Sequence, residues 1–179
     1  MSRWIAFLRA MNVGGHNVKM DRLRRLFESL GFTGVDTYLA SGNIVFETEN
    51  MDVGELEKQI GARLEEALGY PVPAFIRSGA ELAAIVAYAP FRQEVLDKAM
   101  ALNVAFLHGP LEDEAVQKLT NLRTDIDDFH VNGREIYWLC RKKQSQSTFS
   151  NAVLEKTIGR PSTLRGINTI RRMVAKYVS

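Results

Sequence analysis

Within ten residues the run LRAMNVGGHN places an arginine, two asparagines and a glycine pair. That combination can hold an anion. Backbone N–H groups of a glycine turn that feeds a helix can donate to a phosphate or a carboxylate. Asn12, Gly14 and Gly15 are therefore candidate ligand residues. Their spacing is neither G-x-G-x-x-G nor a P-loop, and a plain strand-to-helix turn needing positive φ uses the same residues. Arg9 falls by alternation on the face of Ile5 and Phe7. An unpaired buried guanidinium is costly, so Arg9 is expected at a strand end, facing an anion from a ligand or from the protein. Ser41-Gly42-Asn43 offers a hydroxyl, an amide and a flexible glycine, as a ligand loop or an ordinary hairpin turn. No G-x-S-x-G elbow surrounds Ser41, so it is not read as a nucleophile.

Charge is distributed unevenly. Residues 141–179 hold nine Lys or Arg and one acid, Glu155, a net of +8. The other 140 residues carry 14 basic and 20 acidic side chains, a net of −6. A positive face can bind phosphates or an acidic partner, and the same charges can simply balance an acidic remainder. Arg165 and Asn168 lie in this segment as candidate ligand residues. Three histidines, His16, His108 and His130, have no metal-ligand spacing, and Cys140 has no second thiol. No metal site is read. Cys140 alternates onto the face of Ile136 and Trp138 and reads as a core thiol.

The elements that must position these residues follow from periodicity. Residues 3–11 are a strand apolar on both faces, hence internal to a sheet. The stripe Leu23, Leu26, Phe27, Leu30 predicts a helix over 21–30. Strands over 35–40 and 44–48 flank the Ser41–Asn43 turn, a helix spans 53–68, and a short strand 74–77 precedes a helix over 81–88. The pattern then restarts. A strand at 101–107, a helix at 111–122, a hairpin of 126–131 with 135–141, and helices at 149–158 and 167–178 follow. Strand, helix, hairpin, helix thus occurs twice, which predicts an α+β fold of two ferredoxin-like βαββ-type halves with mostly antiparallel sheets, arisen by internal duplication. The division is expected as subdomains 1–90 and 91–179, with 89–98 as linker.

Composition sets outer limits. At 179 residues, 46% hydrophobic and 25% charged, the chain has enough apolar surface for one domain or two small ones. A net charge of +2 does not by itself imply nucleic acid. The single cysteine excludes an internal disulfide and fits a reducing compartment. No stretch approaches a membrane span, and the apolar run 4–8 is too short for an export signal. A cytoplasmic protein is expected.

The combined pattern LRAMNVGGHN, TYLASGNIVFE, APF and STLRGINT resembles a bacterial family, the domain-of-unknown-function family numbered sixteen-ninety-seven. The family's opening motif is similar to Leu8-Arg9 through Asn12-Val13-Gly14-Gly15, and its SGN turn to Ser41, Gly42 and Asn43. Its Asn-Pro-Phe motif stands here as Ala89-Pro90-Phe91. Its T-x-R-N-x-N-T element matches Thr163, Arg165, Asn168 and Thr169, with Gly166 for Asn and Ile167 for an aromatic. The resemblance implies a two-part α+β fold and no activity or cofactor. The expectation is a binding protein for an anionic small ligand, phosphorylated or nucleotide-like, lined by Arg9, Asn12, Gly14, Gly15, Ser41, Asn43, Arg165 and Asn168. Nucleic acid is the less favoured partner, since few aromatics interleave with the basic residues. The alternatives are an enzyme working by electrostatic positioning and an interaction or dimerisation module.

Overall fold

The computed structural model describes residues 1–9, 17–39 and 42–178. They form two compact units, Met1–Ala84 with Met173–Ser179, and Ile85–Arg172.

The first unit is built on β1 (Ser2–Leu8), which is central because both its faces are apolar. Trp4, Ala6 and Leu8 point to one face and Ile5 and Phe7 to the other, and all five are buried. β1 pairs with β3 (Asn43–Thr48) on one side and β4 (Ala74–Ser78) on the other, and β2 (Thr33–Tyr38) lies outside β3. The order is β2-β3-β1-β4, antiparallel throughout. α1 (Met20–Glu28) and α2 (Val53–Leu68) cover one face. α1 buries Leu23, Leu26 and Phe27, and α2 buries Leu56, Ile60 and Leu64 against Trp4, Ala6, Leu8, Ile44, Phe46, Ala74 and Ile76. Asp52 caps α2 by accepting from the Glu55 N–H at 3.0 Å. Gly69 ends it at φ +82°, a conformation that favours glycine.

The second unit repeats the scheme. β5 (Ala101–Phe106) is central, flanked by β7 (Glu135–Cys140) and β8 (Thr163–Gly166), with β6 (Asp127–Asn132) outside β7. The order is β6-β7-β5-β8. α5 (Asp113–Thr120) and α6 (Asn151–Ile158) cover the face of Ala105, Leu107, Ile136, Trp138 and Cys140. The two halves therefore share element and strand order, as the sequence pattern predicted. Each half also has a fourth strand and a following helix, α3 (Gly79–Ala87) and α7 (Ile167–Tyr177). β8 was not predicted from the sequence. The linker stretch contains a short helix, α4 (Gln93–Lys98), with no buried residue.

The equivalence reaches single residues. Arg77 faces Ile5 across β4–β1, and Arg165 faces Val104 across β8–β5. Each arginine is buried, and each donates from Nη1 at 2.9 Å to the carbonyl of the residue before it, Ile76 or Leu164. Counting onward from the two arginines, Leu82 matches Ile170 and Ile85 matches Met173, and all four are buried.

From Met173 onward α7 belongs to the first unit. Arg3 Nη1 donates to the Tyr177 carbonyl at 2.8 Å, and the Tyr177 hydroxyl donates to Asp36 Oδ2 at 2.7 Å. The Lys176 ammonium lies 5.6 Å from the Tyr38 ring centroid and 5.2 Å from that of Tyr177.

Candidate functional site

Of the eight residues singled out in the sequence, Asn12, Gly14, Gly15 and Ser41 lie outside the described residues. Arg9 and Asn43 are brought together at one end of the first sheet. The Leu8 N–H donates to the Gly42 carbonyl at 2.9 Å, and the Arg9 N–H donates to the Pro73 carbonyl at 3.0 Å. Asn43 pairs with Phe7 and is buried. Its Nδ2 donates to the Tyr38 carbonyl at 2.9 Å, which ties the ends of the β2–β3 connection.

Arg165 and Asn168 belong to the second unit and differ in character. Arg165 is buried in β8, where Nη1 also donates to Thr163 Oγ1 at 2.7 Å. Burial pulls its pKa down to about 10, so the guanidinium is still charged at neutral pH. Both of these acceptors, Thr163 Oγ1 and the Leu164 carbonyl, belong to β8 itself. A second set of bonds fixes β8 to α6. Asn151 Nδ2 donates to the Ser162 carbonyl at 2.9 Å, and the Ser162 hydroxyl donates to Asn151 Oδ1 at 2.7 Å.

Asn168 is exposed in the first turn of α7, beside Arg171, whose Nη1 donates to Asn168 Oδ1 at 3.1 Å. Both line a cleft of about 280 Å³ together with Gln93 of α4 and the start of β5. Among the described residues, no acidic side chain lines it. A second hollow of about 250 Å³, beside α5 and α6, carries Lys118, Lys156 and Arg160, but Glu112 and Glu114 line it as well. There Lys118 sits 3.4 Å from Glu114, and Arg160 donates to the carbonyls of Gly109 and Pro110. Two of its three cations are thus engaged and two carboxylates stand beside them, so the α7 cleft is the better anion site.

The likeness of the two halves acts as an internal control. Where the second half has Asn168 and Arg171, the first has Ala80 and Ala83. The buried positions of the two helices are kept apolar in both halves, while this exposed polar pair occurs in one. Packing of the repeat does not require it. From the sequence, Arg171 is one of nine basic residues after Cys140 and one of three, with Arg172 and Lys176, that the last helix turns away from its apolar stripe. The signal that would have isolated it is this alignment of α3 with α7.

Cys140 is buried, and its thiol donates to the Lys142 carbonyl at 2.9 Å. Burial pushes its pKa up, away from the reactive thiolate. A bulky maleimide is expected to label native protein far more slowly than protein in urea, followed by intact mass. Equal rates would contradict the buried position. Among the described residues, no group of three or more His, Cys, Asp or Glu could hold a metal ion, and no helix is long and apolar enough to cross a membrane.

Comparison with known proteins agrees with this architecture. A family model described as "Protein of unknown function (DUF1697)" matches residues 1–137. Among solved structures, a conserved bacterial protein from Streptococcus pneumoniae, SP0830, is similar over 100% of this chain and 99% of its own. The TM-score is 0.81 at 20% sequence identity, a likeness of fold. No curated protein matches the chain significantly.

Proposed function

The chain belongs to the DUF1697 family of proteins of unknown function, and from its own residues we propose that it binds a small anionic ligand, phosphorylated or otherwise, in the cleft at the start of α7. One observation carries this reading. Arg171 and Asn168 line a cleft with no carboxylate among its described lining residues, at positions where the equivalent helix of the first half has two alanines. A guanidinium with several N–H donors suits a phosphate or carboxylate, and charge-assisted hydrogen bonds of this kind are the stronger ones. Asn168 orients that guanidinium through the 3.1 Å bond. Arg165, anchored inside β8, supports the helix that presents the pair.

The test is a thermal-shift screen of phosphosugars, inorganic phosphate and simple carboxylates, because a ligand of the folded state raises stability. Arg171→Ala is expected to weaken the best ligand by roughly 1.5–3 kcal/mol, about 10- to 100-fold. Affinity should fall gently with salt. A steep log–log salt slope would signal many released counterions and point to nucleic acid instead. Arg9, at the end of β1, is the rival cation. If Arg9→Ala abolishes binding and Arg171→Ala leaves it intact, the ligand sits at the β1 end and the α7 assignment fails.

A further inference from the structure

The walls of the α7 cleft differ in chemistry, and the difference narrows the ligand class. Gln93, Asn168 and Arg171 are polar, whereas Leu96, Met100 and Leu102 are apolar, backed by alanines and Ile167. Among the described residues, no aromatic side chain lines the cleft. A nucleobase held there would have no ring to stack on, although stacking is the usual source of its binding energy. Met100 is 61% exposed at this site. An unbranched thioether side chain adapts its shape to a flexible apolar partner. A cleft of about 280 Å³ takes a compact head group and a short chain. A single cation in the lining matches one anionic head.

We infer, on the basis of the reading above, that the ligand is an aliphatic anion. Its carboxylate or monophosphate head lies on Arg171 and Asn168, and its short hydrocarbon chain lies on Leu96, Met100 and Leu102. The nucleotide-like class expected from the sequence is thereby set aside.

The experiment titrates the full chain by calorimetry with acetate, butyrate, hexanoate and octanoate. A parallel arm uses inorganic phosphate, butyl phosphate, hexyl phosphate and adenosine monophosphate. Burying a methylene is worth up to about fourfold in affinity. Binding should therefore tighten about two- to fourfold per added methylene and then level off as the chain outgrows the cleft. The arm with the tighter series identifies the head group. Met100→Ser, at an exposed position, should flatten the dependence on chain length. Arg171→Gln should weaken every member about equally. If inorganic phosphate or acetate binds and is lost in Arg171→Gln, but chain length has no effect, the aliphatic inference falls and the anion site stands. Adenosine monophosphate binding more tightly than hexyl phosphate has the same consequence. If no anion binds, or if Arg171→Gln changes nothing, the anion site itself falls and the inference with it.

Discussion

Phe27→Ala is expected to cost roughly 3–5 kcal/mol, the range for truncating a buried phenylalanine. Phe27 has no exposed surface. Its ring centroid is 6.2 Å from that of Phe32 and 5.6 Å from that of Phe46, and Phe32 and Phe46 stack at 4.5 Å. The three rings join α1 to the sheet. Removing the Phe27 ring leaves a void beside Phe32 and Phe46 that these rigid neighbours cannot close. Domains are stable by only about 5–15 kcal/mol, so this loss is a large share of the whole. Urea melts can follow it half by half, because each unit has its own tryptophan, Trp4 in the first and Trp138 in the second. With Trp138→Phe as background, Trp4 fluorescence should report the full shift in midpoint. A loss below about 1 kcal/mol would mean that α1 does not pack as described.

Asp127→Ala is expected to be the next most damaging change, at roughly 2–4 kcal/mol. Asp127 is buried in the first position of β6. Its Oδ1 accepts from Trp138 Nε1 at 2.9 Å, and its Oδ2 accepts from the Ser147 hydroxyl at 2.7 Å. One carboxylate thus satisfies a buried indole and pins the segment between β7 and α6. Alanine would leave the indole N–H buried without its acceptor, the costly side of the hydrogen-bond balance. Asp127→Asn keeps an acceptor for the indole and should cost about half as much. Trp138 emission under native conditions checks the mechanism. If Asp127→Ala leaves both the melt and the emission unchanged, the network is ornamental.

Legibility in the sequence varied with length and with burial. β1 was readable as an internal strand because both faces are apolar. α1 and α2 were readable from their stripes, and the repeat of architecture from the order of elements. β8 escaped because it is four residues long, with Leu164 between Thr163 and Arg165. Those residue types signal a polar loop until a neighbouring strand supplies a register. α4 escaped for the same reason, having six residues and no buried side. The site was half readable. Asn168 came from a motif, but its neighbour Arg171 was hidden within a net charge. That charge proves to be several unrelated arrangements. Arg165 is buried in its strand, Arg160 binds carbonyls, Arg141 lies 3.9 Å from Asp128, and Lys176 rests over two tyrosine rings. A sum over sequence cannot separate these, because it carries no information on direction.

The return of α7 to the first unit has a consequence for the order of synthesis. Arg3, Asp36 and Tyr38 leave the ribosome early, yet their partners Lys176 and Tyr177 are made only after the entire second half. Domains made first usually fold first. Here the early half can collapse around its own helices but must wait for the residues after Met173 to acquire its last contacts. A message truncated within α7 therefore yields a chain whose oldest part is the one left unfinished, and that part is where proteolytic surveillance would act.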